Sequence, residues 1–252
     1  MQKEKLIMQQ KIFQHDREWC IVHYPVKPNG FAVMILGDQN HYVTEKGSFW
    51  MENETRRDWI DQLTKSGYLV FYSNFFGAHW GSEKAVESAL NLYHYIKRQE
   101  IINQRIHILA EGTGALLLKN MLTGIQSNLR CAVVITPCIS LRLHNEQERK
   151  QKFFLKKFRK EISVAYQVEE KEWEKVIQKD TVIPLIKTKN PLYFIEIIGH
   201  LSYKGQLEVV QSVCKERMRN HLPVKLEFFL PEKRPLIIRK CLRYFREHEK
   251  EL

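Results

Sequence analysis

Short, uninterrupted apolar runs alternating with segments of helical period constrain this chain more than any other feature. Phe31–Leu36 is six apolar residues ended by Gly37, and Leu69–Tyr72, Ile106–Ala110 and Cys131–Thr136 are further strand-like runs. Strands covered on both faces read this way, without polar alternation. Between them, residues 53–66 put Trp59, Ile60 and Leu63 on one side and stop at Gly67. Residues 82–99 repeat Ala85, Val86, Ala89, Leu90, Tyr93 and Ile96 at helical spacing behind Ser82 as a cap, and Thr113–Leu122 reads as a third helix. Strands separated by helices imply βαβ crossovers and a mainly parallel sheet.

An antiparallel hairpin precedes this core: Lys11–His15 and Trp19–Tyr24, turning through 15–18. After Ile139 the alternation breaks. Residues 140–183 are charged, helical in period and without a strand-like run; then come strand Leu192–Ile198, helix Gly205–Asn220, strand Val224–Leu230 and helix Pro235–Glu249. No repeat and no Gly/Ser/Pro-rich linker divides the chain. The expected organisation is one α/β domain over 1–252, an eight-stranded sheet with helices on both faces, carrying a helical cap insertion at 140–183. The last helix has an apolar stripe of Ile237, Cys241, Leu242 and Phe245, with Arg239, Lys240, Arg243 and Arg246 outside it.

Composition removes several classes. With 44% hydrophobic and 27% charged residues, 252 residues can bury a core without a disulfide or metal staple. No apolar run approaches the ~18–20 residues that span a bilayer. The opening residues, Met1 to Gln10, lack the apolar stretch and small-residue cleavage site of a secretory signal. Cys20, Cys131, Cys138, Cys214 and Cys241 are odd in number and lack CxxC spacing, so reduced thiols in a cytoplasmic protein are expected.

The strand ending at Ala110 enters its helix through Glu111, Gly112, Thr113 and Gly114, a tight small-residue turn. Here the chain resembles the α/β-hydrolase superfamily, whose nucleophile elbow occupies this junction as G-x-S-x-G. The resemblance extends to the opening strands, to Gly37 where an oxyanion loop would begin, to the loop 76–82, to the insertion after the sixth strand and to the final strand–helix pair. It implies that Ala110, Glu111, Gly112, Thr113 and Gly114 form the elbow, with Gly112 in the serine position. Glycine keeps a positive-φ turn cheaply but has no atom to attack a carbonyl. No Asp or Glu stands in 198–203 or 136–140, where the family acid would be, and no His in 230–235. The resemblance thus implies a hydrolase scaffold without its triad, acting as a binding or regulatory protein. The alternative is an active esterase, thioesterase or acyltransferase with a relocated nucleophile. Thr113 and Cys138 are the nearest candidates, although Thr113 reads more simply as a helix cap and Cys138 as a buried thiol.

The remaining candidates lie at the carboxyl ends of strands, where open α/β sheets bind ligands. Gly37, Asp38, His41, His79, Gly112, Thr113 and His200 are the pocket candidates. The three histidines read as hydrogen-bonded or solvated rim residues; an acid–base or metal cluster with Asp38 is the sharper alternative. No metal or other cofactor is implied, because Gly112-Thr113-Gly114 lacks the third glycine and the ribose-binding acid of a dinucleotide fingerprint. Amides of Thr113 and the Asp38 region would favour a small carboxylate or acyl ligand. In 142–160, eight cations (Arg142, Arg149, Lys150, Lys152, Lys156, Lys157, Arg159, Lys160) oppose Glu146 and Glu148 in a protein of net charge +11. Phe154, Phe158, Ile162 and Ala165 are expected to dock, with Lys152, Lys156, Arg159 and Lys160 outside. Such a face suits an acidic protein or an anionic surface; no nucleic-acid motif accompanies it.

Overall fold

The structure, a computed structural model, describes residues 9–150, 152–199, 203 and 205–249. Eight strands form one sheet: β1 (Gln9–His15), β2 (Glu18–Tyr24), β3 (Ala32–Leu36), β4 (Leu69–Ser73), β5 (Ile106–Glu111), β6 (Leu129–Ile135), β7 (Leu192–Ile197) and β8 (Val224–Phe229). Their order is β1-β2-β4-β3-β5-β6-β7-β8. β1 and β2 pair antiparallel, as do β2 and β4, and every other neighbour is parallel. All residues of β3, β4, β5 and β6 are buried, the reason their sequences show no alternation.

Helices cover both faces. α1 (Glu54–Lys65) and the C-terminal α8 (Ile237–Glu247) pack on one side through Trp59, Ile60, Leu63, Ile237, Cys241 and Phe245. α2 (Glu83–Gln99), α3 (Gly114–Ile125) and α7 (Gln206–Arg219) pack on the other through Ala89, Leu117, Met121 and Val213. Between β6 and β7 lie α4 (Leu141–Glu148), α5 (Lys152–Tyr166), α6 (Trp173–Lys179) and a short helix Ile183–Lys187. A third apolar cluster joins α4, α5 and α6 to the loops at the carboxyl ends of the strands: Leu141, Phe158, Ile162, Trp173 and Ile177 against Trp80, Leu116 and Cys138.

Three local expectations are corrected. The last helix begins at Ile237, not Pro235: Pro231–Leu236 is a 3-10 segment with Pro231 at its start and Pro235 inside it, and neither proline supplies a backbone N–H. Ser82 sits at the amino end of α2, but its side chain makes no capping bond. On α5, Phe158 and Ile162 dock as expected, whereas Phe154 is 48% exposed and Arg159 turns inward over the Trp173 ring, 4.8 Å from its centroid. A cation on an aromatic face holds Arg159 against α6.

Candidate active site and its blocked elbow

Register brings the elbow and the loop after β3 together. Leu36 lies opposite Ala110, so Asp38 and Gly112, each two residues further on, leave the sheet side by side. Gly112 has φ +57°, the left-handed bend that turns β5 into α3. Its N–H donates to the Ile135 carbonyl at 3.2 Å and its own carbonyl accepts the Cys138 N–H at 3.0 Å, tying the bend to β6. A Cβ on Gly114 would overlap the Leu36 carbonyl oxygen, so only glycine lets α3 start this close to β3.

The space beside Gly112 is filled by Asp38. A Cβ at Gly112 would overlap the Asp38 carboxyl carbon and lie 2.5 Å from both carboxylate oxygens. Asp38 Oδ1 accepts the Thr113 N–H at 3.0 Å, the Thr113 hydroxyl at 2.9 Å, the Tyr203 hydroxyl at 2.6 Å and the Gln39 N–H at 2.9 Å. The Asp38 N–H donates to His41 Nδ1 at 3.0 Å. The two amides expected to receive a carboxylate or acyl oxygen are therefore both engaged within the chain. The helix terminus attracts an anion as expected, but that anion is the protein's own. The Thr113 hydroxyl is no helix cap: it makes no capping bond, because Asp38 is the better acceptor.

The other candidates resolve as follows. Gly37 is buried against His41, whose ring stacks on Phe49 with centroids 4.1 Å apart. Glu111 is bound by Arg56 of α1, whose Nε and Nη2 each donate to one of its carboxylate oxygens. His79 is buried, accepts the Gly81 N–H at Nδ1 (3.0 Å) and is pulled down to about 4 by burial, against the opposing charge of Asp38. His41 is lowered too, again first by burial. Neither is a solvated rim residue. His200 lies outside the described residues. Cys138 is fully buried and its thiol is pushed well up by desolvation, the reverse of nucleophile activation. All five cysteines are free and buried. Among the described residues, no group of three His, Cys, Asp or Glu is arranged to hold a metal.

Two residues that matter here escaped the sequence. Tyr203 follows β7, in the segment searched only for an acid; burial and then the Asp38 charge keep its phenol protonated, hence a donor. His144, on α4, lies 4.9 Å from Trp80 and 5.0 Å from Phe158, centroid to centroid, and burial takes it down to about 4. Both line a cavity of about 160 Å³ beside Asp38, roofed by Phe154, Lys157, Phe158 and Glu161 of α5. Their only sequence signal is an aromatic hydroxyl and a histidine near strand ends, too common to single out.

Solved structures share this architecture. The chain superposes on an acylaminoacyl peptidase of Pyrococcus horikoshii with TM-score 0.71 at 12% identity, over 97% of this chain and 42% of that one. Est1E from Butyrivibrio proteoclasticus gives 0.67 at 11% identity, over 96% and 99% of the two chains. The chain has the α/β-hydrolase fold. A dipeptidyl aminopeptidase IV-like protein from Bacteroides ovatus gives 0.66 at 11% identity, over 96% of this chain and 36% of that one. The chain thus spans well under half of either peptidase and nearly all of Est1E. The sequence matches no protein-family model and no curated protein. Among the described residues, no helix is long and apolar enough to cross a membrane.

Proposed function

We propose that this chain is a catalytically silent α/β-hydrolase-fold protein that binds a ligand under its cap, the helices of 140–183. The observation that carries this reading is the Asp38 carboxylate seated where a nucleophile's side chain would stand and hydrogen-bonded to the elbow amide. With Gly112 in the serine position and the oxyanion donors engaged, neither nucleophile nor charge stabilisation is available for acyl transfer. The five buried, free cysteines fit a reducing compartment. Short-chain chromogenic esters and a fluorophosphonate probe test the reading: no turnover and no labelling is expected. Turnover abolished by substituting Thr113 or Cys138 would establish the hydrolase alternative instead.

The partner surface we propose is the outer face of α5, where Phe153 (76% exposed) and Val164 (70%) stand in one stripe with Lys156 and Lys160. Lysines surrounding exposed apolar side chains suit an anionic membrane surface. Salt-sensitive cosedimentation with phosphatidylserine vesicles, lost on reversing Lys156 and Lys160 to Glu, is the expected result; equal sedimentation of wild type and variant would remove it.

A further inference from the structure

The cavity beside Asp38 has a polarity opposite to that of an oxyanion site. Three carboxylates line it (Asp38, Glu148 and Glu161), and Lys157 is the one Lys or Arg among its lining residues. Glu161 is already partnered: it accepts the Trp80 indole N–H at 3.0 Å, and Lys157 lies 3.6 Å away. Among the described residues, neither Asp38 nor Glu148 forms an ion pair with a Lys or Arg. Four hydrogen bonds from these residues reach Asp38, all on Oδ1. Among the described residues, Glu148 lies within ion-pair distance of His144 alone, 3.8 Å away and kept neutral by burial, with the charge of Lys157 acting on it from further off.

Two observations point from this arrangement to a ligand. His144, 6% exposed and part of the lining, leaves Nδ1 buried without a hydrogen-bond partner. Glu148 is raised by burial and then by the charge of Glu161, with Lys157 acting against both, so that three lining acids share one lysine. Partly desolvated carboxylates are stabilised by a cation that brings its own donors. An ammonium head supplies one charge and three N–H groups, donors suited to the carboxylates of Asp38 and Glu148. The rings of Trp80, Phe158 and Tyr203 bound the rest of a space that holds only a few non-hydrogen atoms.

We infer that this cavity binds a small primary ammonium compound, its head between Asp38 and Glu148. The inference rests on the reading of a silent site whose elbow is filled by Asp38. Titration calorimetry of the full chain with ethylammonium chloride at low ionic strength tests it, with sodium acetate as the opposite charge. Saturable binding of ethylammonium and none of acetate is expected. Glu148→Gln should weaken it by about tenfold or more, with an unchanged circular dichroism spectrum, since Glu148 is only partly buried. Asp38→Asn should weaken it at least as much; if that variant misfolds, Glu148→Gln still decides. No saturable ethylammonium binding, undiminished binding by Glu148→Gln, or a preference for acetate would overturn the inference. Fluorophosphonate labelling of the same preparation separates the two claims: labelling overturns the silent-site reading, whereas absent labelling with absent ammonium binding overturns only the ligand class.

Discussion

Asp180 and Asp38 each present a carboxylate to the elbow helix, and the two are held in opposite ways. Asp180 pairs with Lys119, whose Nζ also donates to the Ile139 carbonyl at 3.0 Å, while its second oxygen accepts the Leu141 N–H at 2.8 Å. The charge is neutralised, and the pair ties α3 to the start of α4. Among the described residues, Asp38 is held by neutral donors on one oxygen, and it lines a cavity. Ion pairing makes the first a structural tie; hydrogen bonding without a counter-charge leaves the second able to interact with something else.

The largest effect expected from this contrast is at Lys119. Lys119→Met leaves Asp180 buried without its cation and should cost about 3–5 kcal/mol in denaturant unfolding, most of it regained when Asp180 is replaced by Leu as well. Equal loss in the single and double variants would break the comparison. Gly112→Ser meets the Asp38 carboxyl group and a left-handed backbone together, and should cost about 2–4 kcal/mol while remaining inactive toward esters. Asp38→Gly relieves the overlap but also removes the bonds to Thr113, Tyr203 and Gln39, so the two substitutions together should cost less than the sum of their separate costs. A Gly112→Ser protein as stable as the original would mean that Asp38 does not occupy that space.

The contrast also depends on neutral histidines around Asp38. His79 and His144 are held at about 4, below the ordinary 6.5, so between these values the unfolded chain binds the protons that the folded chain refuses. Stability from these two residues is therefore complete above pH 6.5 and falls progressively as the pH drops toward 4, with a slope approaching about two protons. Because His23, His41 and His107 are lowered as well, the test is the difference: His144→Gln should reduce the slope of stability against pH in this window by about one proton. The smallest effect is at Tyr203→Phe, which removes one of four donors to Asp38 Oδ1 and should cost about 1 kcal/mol.

The order of strands and helices could be read from the sequence because burial on both faces leaves a direct trace: every residue of β3 through β6 is buried, and their runs are mostly apolar without regular alternation, interrupted by Ser73, Arg130, His107 and Glu111. Boundaries were less legible where turn chemistry intervened, as at Pro231 and Pro235. Helical period placed Phe158 and Ile162 correctly but misplaced Phe154 and Arg159, because the neighbours of α5 decide how wide its docked face is. At the site, the bend at Gly112 and the place of Asp38 at a strand end could be read from the sequence. That the Asp38 carboxylate closes the elbow had no local signal. Lys119, directly after Leu116, Leu117 and Leu118, did carry one: a lysine on an apolar helix needs a buried partner, though nothing nearby names Asp180.

The sequence by itself determined the alternation that builds a parallel sheet, the bend at Gly112 and the absence of an attacking atom there, since these are properties of short stretches of chain. Only the tertiary structure decided the charge that the crest of the sheet presents. That choice depends on the register of β3 against β5 and on bonds from Asp38 to Thr113, 75 residues away, and to Tyr203, 165 residues away. Whether a helix terminus remains open to a foreign anion or closes on an internal one depends on which side chain the fold delivers to it.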